Sequence, residues 1–180
     1  IQDIMFNGPE QSLKQTQYTQ PALYIVAVTI GLLLMEKGIK PTSVAGHSLG
    51  EYSAYTIAGS FDFETGLKIV KVRANSMQNA GEDQPGTMAA IIGLDDETVM
   101  KITDNISGTV VVANFNSPGQ VVISGAIEAV NSAMIAAKES GARMVIPLNV
   151  SGAFHSPLMS SAREHFAEMI DSIEISNSMI

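Results

Sequence analysis

Residues 42–52 read Thr-Ser-Val-Ala-Gly-His-Ser-Leu-Gly-Glu-Tyr, and the fold turns on Gly46-His47-Ser48-Leu49-Gly50 at their centre. This is a G-x-S-x-G pattern, with a small residue two before and two after a serine. The spacing suits a sharp strand-to-helix turn that lifts the serine oxygen above a sheet. Glycines on both sides let the backbone crowd together there. The helix N-terminus that follows offers backbone N–H groups to an oxyanion. The flanks agree with this reading. Ser43-Val44-Ala45 is short and apolar, as a buried parallel strand is, and Leu49 to Ala58 reads as a helix ending near Gly59.

Upstream, Ile1 to Gln20 is polar and irregular, with a turn signal at Asn7-Gly8-Pro9-Glu10. Thr19-Gln20-Pro21 is expected to open a helix, with the proline at its first position. That helix runs to about Lys37 and is apolar almost all round through Leu34, which predicts burial. Downstream, Asp62 caps a helix to about Asn79. Its core face is Leu67, Val70, Ala74 and Met77, and Arg73 falls on the exposed side. Ala80 to Pro85 predicts a polar linker and a lobe boundary.

From Gly86 the pattern becomes compact. Strands are expected at Thr87–Ile92, Thr109–Ala113, Gln120–Ser124 and Arg143–Leu148. Helices are expected from Asp95 or Asp96 to Ile102 and from Ala126 to Ser140. The order β-α-β-β-α-β is that of a ferredoxin-like lobe. Ser156 and Pro157 then cap a helix to about Ile170 with Met159, Ala162, Phe166 and Ile170 on its inner face, and Ile173 and Ile175 read as a strand start. The small lobe, residues 83–149, is thus inserted between two pieces of one α/β layer, residues 1–82 and 150–180. That layer has too few strands to be covered on both faces, so the sequence is expected to be part of a larger fold.

Composition sets the class. The 180 residues are 46% hydrophobic and 16% charged, as in a soluble α/β protein. A formal net charge of -8 argues against nucleic-acid binding. With no cysteine there is no disulfide, thiolate catalyst or cysteine-ligated metal, and no other metal-ligand cluster stands out; no cofactor is implied. Ile1 to Glu10 lacks the basic start and apolar run of a signal peptide. Ala22 to Met35 is short for a membrane span and carries a tyrosine. A cytoplasmic protein with no membrane partner is the expectation.

A serine hydroxyl needs a base. His47 precedes Ser48, and across the turn its side chain should point away; it reads as structural or as a pocket wall. His165 lies in an amphipathic helix and reads as solvated. His155 lies in a small-residue loop where the two lobes rejoin, and such loops line clefts. It is the favoured base, the alternative being a structural histidine flanking a helix. Asp95, Asp96 and Glu128 lie between Ser48 and His155 but inside small-lobe helices, so none is an attractive orienting group. Arg73 could clamp a carboxylate bidentately, or be an ordinary surface arginine.

Gly46-His47-Ser48-Leu49-Gly50-Glu51-Tyr52 resembles the nucleophile motif of the malonyl-CoA:acyl carrier protein transacylases and of the acyltransferase domains of fatty-acid and polyketide synthases. Thr19-Gln20-Pro21-Ala22, Val72-Arg73-Ala74-Asn75-Ser76-Met77-Gln78, Asn114-Phe115-Asn116-Ser117-Pro118-Gly119-Gln120 and Gly152-Ala153-Phe154-His155-Ser156-Pro157 resemble further motifs of that family, in the same order. Ala74 stands where glycine is more usual. The resemblance implies an α/β-hydrolase-like large subdomain, here incomplete, with an inserted ferredoxin-like small subdomain. It implies malonyl transfer from coenzyme A to the thiol of acyl carrier protein through an ester on Ser48, with His155 as base. Leu49 would supply an oxyanion donor, Arg73 would pair with the malonyl carboxylate, and Gln20, His47 and Asn116 would line the pocket. The Phe154 context resembles malonyl-selective members, and the histidine is held by a backbone carbonyl from a C-terminal loop. A monomer of fatty-acid synthesis is implied. The other readings are a serine thioesterase or hydrolase, a polyketide-type acyltransferase with another acyl preference, and a non-catalytic binding domain. Family members also have a strand and a Gly-Gln-Gly-Ser-Gln-like loop before the region matched here, and further strands after it. As given, the chain is expected to be a fragment without a closed active site.

Overall fold

The structure, a computed structural model, describes residues 1–178 and 180. Its elements in chain order are α1 (Gln2–Asn7), α2 (Glu10–Leu13), α3 (Thr16–Glu36), α4 (Gly50–Ile57), α5 (Phe63–Asp83), β1 (Gly86–Ile92), α6 (Asp96–Asn105), β2 (Val110–Ser117), β3 (Gln120–Ala126), α7 (Ile127–Glu139), β4 (Met144–Pro147), a 3₁₀ turn (Pro157–Met159) and α8 (Ser160–Asp171). They form two compact units, Ile1–Ser76 with His165–Ile180, and Met77–Glu164. The unit boundaries fall inside α5 and α8.

In the first unit, α3, α4 and α5 pack around buried Tyr24, Val28 and Val70, with Ile25, Leu49, Tyr52, Ile57 and Leu67 at the margin. The Tyr24 phenol is inside this core but not orphaned. It shares a 2.8 Å hydrogen bond with Thr56 Oγ1 and donates to the Phe63 carbonyl at 3.1 Å. A buried hydroxyl with partners avoids the desolvation penalty of an unpaired one. Burial still pushes the Tyr24 phenol above its ordinary range. Asp62 caps α5 as expected, its Oδ1 accepting from the Thr65 N–H at 2.7 Å.

Several expectations fail here for physical reasons. α3 starts at Thr16, ahead of the expected proline position. The N–H groups of Tyr18 and Thr19 donate to the Gln15 carbonyl at 2.9 Å, and the Thr19 hydroxyl ties down the Leu13 and Gln15 carbonyls, so the first turn closes before Pro21. The helix is not buried all round: Leu23, Ile30 and Leu33 are 57%, 53% and 52% exposed. At 21 residues it is also long and apolar enough to cross a membrane by length and composition, so the shortness inferred from 22–35 does not hold. One of its faces nonetheless carries buried Thr16, Gln20 and Tyr24 into a protein core. Ser43-Val44-Ala45 is not a strand, and Ser43 and Ala45 are exposed. A strand exists only by pairing, and none of the described residues of this unit forms a ladder. Ile173 and Ile175 likewise form no strand; the neighbouring Ser176 N–H instead donates to the Ser60 carbonyl at 2.9 Å.

The second unit is ferredoxin-like. Its four strands run in the order β2-β3-β1-β4, every neighbouring pair antiparallel. Strand alternation sorts its side chains. Ala89, Ile91, Val121 and Ile123 face α6 and α7, where Val99, Val130 and Ala133 complete the core. Full burial of an isoleucine such as Ile91 contributes roughly 1.5–3 kcal/mol. Met88, Ala90 and Val122 point to the opposite face and meet Leu148, Val150 and Phe154. The chain leaving β4 is therefore pinned across the back of the sheet. The linker expected at 80–85 is instead the last turn of α5. Ala80 and Gly81 are buried, and a Cβ on Gly81 would lie 2.9 Å from the Ser151 carbonyl oxygen, while residues 82–85 are exposed, so the start of this stretch is packed and only its end is solvated.

Candidate active site

Ser48 adopts φ 52, in the left-handed region that non-glycine residues rarely occupy. The turn around it is closed by Gly50 N–H to His47 carbonyl at 2.9 Å, Glu51 N–H to Ser48 carbonyl at 3.2 Å and Tyr52 N–H to Leu49 carbonyl at 3.1 Å. These bonds feed directly into α4. The Leu49 N–H, at the mouth of that helix, is not one of the donors used to close the turn. The two glycines of the motif are not equivalent. A Cβ at Gly46 would fall 2.0–2.1 Å from backbone atoms of Gly50 and Glu51, whereas a Cβ at Gly50 meets nothing within 4 Å. The crowding expected on both sides of the serine is thus confined to Gly46.

Arg73 is not on the exposed side of its helix. It is half-buried, because α3, the serine turn and α4 pack over that part of α5. Its Nη1 donates to Gln20 Oε1 at 2.6 Å and its Nη2 donates to Ser48 Oγ at 2.9 Å. The guanidinium carbon stands over the Tyr52 ring, 5.5 Å from the centroid. Tyr52 in turn meets Phe166 of α8 edge-on, with centroids 6.0 Å apart and planes at 83°. Burial pushes the Tyr52 phenol above its ordinary range; the adjacent Arg73 offsets this only in part. The structure thus brings Ser48, Arg73 and Gln20 together. His47 lies elsewhere: it lines an apolar cavity of 540 Å³ with Gly31, Leu34, Val44 and Ile57, a lining that includes neither Ser48 nor Arg73.

The other expected site residues belong to the second unit. His155 is exposed and has φ 60. Its loop is rigidly built. Ala153 is fully buried, Phe154 packs against the back of the sheet, and Ser156 Oγ donates to the Ala153 carbonyl at 2.7 Å while accepting from the Leu158 N–H at 3.2 Å. Asn116 is exposed near the end of the β2–β3 hairpin, within a register shift between Phe115 and Ser117. Among the described residues no group of acidic, histidine or cysteine side chains could hold a metal ion.

Sequence reasoning missed Tyr52 and the acceptor role of Gln20 toward Arg73. The signal for Tyr52 was its place in the first turn of the helix that follows the serine.

The profile of the acyl transferase domain family matches residues 1–180. A malonyl CoA-acyl carrier protein transacylase of Bacillus subtilis (strain 168) is 41% identical over 178 residues, which cover 97% of this chain and 56% of that protein. Among solved structures, a type II PKS acyl-carrier protein in complex with its malonyl-transacylase superposes with a TM-score of 0.95 at 41% identity, over 99% of this chain and 59% of the other. The malonyl CoA-acyl carrier protein transacylase of Coxiella burnetii gives 0.94 at 41% identity, over 99% and 57%. The chain therefore spans just over half the length of such relatives. The likeness shows the expected fold class, an α/β-hydrolase-like large subdomain with a ferredoxin-like small one.

Proposed function

This chain belongs to the acyl transferase domain family, and from that premise we propose that it moves a malonyl group from coenzyme A to the phosphopantetheine thiol of acyl carrier protein. One observation carries the reading: the Arg73 guanidinium lies 2.9 Å from the Ser48 oxygen. In a malonyl thioester the free carboxylate is one methylene away from the carbonyl under attack. A cation meant to bind that carboxylate must therefore sit beside the nucleophile, as Arg73 does.

In the proposed reaction Ser48 Oγ attacks the thioester carbonyl while His155 takes the hydroxyl proton. Arg73 donates to the serine oxygen, so it does not compete for the serine proton that the base removes. The Leu49 N–H supports the tetrahedral oxyanion. Collapse breaks the carbon–sulfur bond, His155 protonates the coenzyme A thiolate, and a malonyl-serine ester remains. The carrier thiol then gives its proton to His155 and attacks that ester, and the proton returns to Ser48 as the new thioester departs. Gln20 holds the guanidinium from its other nitrogen, while Phe154 and Asn116 are assigned to the pocket walls. This reading assigns residues 1–82 and 150–180 to the catalytic subdomain and 83–149 to the small one, with the reaction in the cytoplasm. The carrier is acidic by family resemblance and this chain has net charge -8, so docking needs a local basic patch, for which exposed Lys68 and Lys71 on α5 are the candidates.

The test is intact mass and peptide mapping after exposure to malonyl-CoA. A malonyl adduct on Ser48 that disappears in Ser48→Ala and is discharged by holo carrier protein is the expected result. An adduct on another residue, or none on a protein as long as its relatives, ends the proposal. Discharge mainly to free malonate turns the reading to a hydrolase.

A further inference from the structure

Arg73 is flexible by nature, with four rotatable side-chain bonds, yet here its guanidinium is held at three places. Two are the hydrogen bonds to Gln20 and Ser48. The third is the Tyr52 ring beneath it. During turnover the Ser48 contact is lost, because the serine oxygen becomes an ester oxygen and the substrate carboxylate takes up donors. Gln20 alone fixes one nitrogen and leaves the plane of the guanidinium free to rotate about that bond. A ring face removes this freedom. The face attracts the cation through its quadrupole, a contact that itself uses no N–H donor, while the phenol oxygen is a further partner of the guanidinium.

Tyr52 is itself fixed from several sides. Phe166 meets it edge-on at 6.0 Å. Its backbone carbonyl accepts from Thr56 Oγ1 at 3.0 Å, and that hydroxyl is bonded to the buried Tyr24 phenol. A phenol is neutral at physiological pH, and burial raises this one further, so Tyr52 is a platform for Arg73 and not a competing anion.

We infer that Tyr52 is a positioning residue: its ring, backed by Phe166, holds Arg73 in the plane that receives a substrate carboxylate and so sets the preference for acyl groups carrying one. The inference rests on the reading of Arg73 as the carboxylate's partner and goes beyond it by naming what aims it. Part of the binding advantage is then preorganisation, which is lost when the platform is lost even though the charge remains.

The experiment compares Tyr52→Leu, Tyr52→Phe and Phe166→Leu with the parent protein in two assays. The first is the ratio of kcat/KM for malonyl-CoA and acetyl-CoA. Loss of a cation–π contact predicts that Tyr52→Leu lowers this ratio by about three- to thirtyfold, with acetyl transfer little changed. Tyr52→Phe keeps the ring face and restores the preference. Phe166→Leu lowers it in the same direction. The second assay needs no turnover: phenylglyoxal, an arginine-selective reagent, is followed by mass spectrometry of the peptide containing Arg73. Faster modification in Tyr52→Leu, and not in Tyr52→Phe, is expected. A folded Tyr52→Leu with unchanged preference and unchanged Arg73 reactivity overturns the inference, as does equal loss of malonyl and acetyl transfer. Should Tyr52→Leu fail to fold, Phe166→Leu is judged by the same two outcomes. If the parent protein transfers no malonyl group the proposed reaction fails, while the phenylglyoxal arm still decides whether Tyr52 positions Arg73.

Discussion

Replacing the two glycines of the serine turn by alanine, one at a time, separates geometry from motif. At Gly46 the added methyl would lie 2.0 Å from the Gly50 carbonyl carbon, 2.1 Å from its oxygen and 2.1 Å from Glu51 N. Non-bonded carbon atoms are at ease about 3.5–4.0 Å apart, so the methyl demands a shift of more than an ångström. The atoms in the way are backbone, not side-chain ends that can swing aside. They also belong to the residues whose N–H groups close the turn. Overpacking of this kind costs about 1–3 kcal/mol, and backbone obstruction from three atoms places Gly46→Ala at the upper end. For a chain of this size that is a fall in Tm of roughly 6–12 °C. At Gly50 the methyl meets nothing within 4 Å, and the residue opens α4. Alanine there gains helix propensity and should leave stability unchanged or raise it by up to ~1 kcal/mol. Thermal unfolding by circular dichroism, paired with acylation of Ser48 by malonyl-CoA, reads both effects. Gly46→Ala should melt lower and label poorly, and Gly50→Ala should do neither. Similar melting temperatures for the two variants would refute the claim that only the first glycine is required by the backbone.

Ser48 in the left-handed region implies strain that glycine relieves. Ser48→Gly should exceed Ser48→Ala in stability by about 1 kcal/mol in urea unfolding, although neither variant forms an acyl-enzyme; equal midpoints would count against it. Arg73→Ala should lower the malonyl-to-acetyl ratio by about ten- to a hundredfold, the worth of a charge-assisted hydrogen-bonded partner, with both substrates falling equally if the clamp is wrong. In the second unit Asp95 accepts from the Thr98 N–H and hydroxyl, both at 2.8 Å, and these bonds hold its carboxyl below the usual range. A depressed folded-state pKa stabilises above the unfolded value and is lost as pH falls through the folded one. Asp95→Ala should therefore unfold more easily than the parent at neutral pH, with a gap that closes in acid. A gap independent of pH would show that the ionised cap contributes nothing.

What could be read in the sequence depended on where each residue's partner lies. The ferredoxin-like unit was legible in its element order because alternation plus cap residues mark each element locally, even though β4 finds its partner β1 52–58 residues back and β2 runs on to Ser117. Asp62, Asp95 and Ser156 cap by contacts only two or three residues away, and local chemistry of that kind is visible in a string. Ser43-Val44-Ala45 carries the right residues, but strand formation is decided by a distant ladder. Arg73 failed for the same reason. Helical periodicity places it opposite the apolar stripe of α5, and periodicity knows nothing of Gln20, 53 residues away, or Ser48, 25 residues away, which cover that side. Tyr52 was quoted within a motif and given no part to play, since its value comes from Arg73 and Phe166, on other helices.

The backbone supplies an independent reason to regard Ser48 and His155 as functional. Among the described residues they are the only non-glycine residues with positive φ, at 52 and 60. A left-handed non-glycine residue costs about 1–2 kcal/mol, and glycine could have removed the cost at either position. Both chains of turn bonds that enforce it are local: His47, Ser48 and Leu49 carbonyls in one unit, the Ala153 carbonyl and Ser156 hydroxyl in the other. Each residue stands immediately before a helical segment, so each side chain is set at a helix N-terminus by the same device. Strain of this sort persists where surrounding structure over-determines it, and it concentrates at functional sites. His155 was selected for its imidazole with no reference to dihedral angles, whereas Ser48 was selected within a motif that itself demands a sharp turn. Positive φ at His155, where no strained motif was read in the sequence, is what a positioned base predicts.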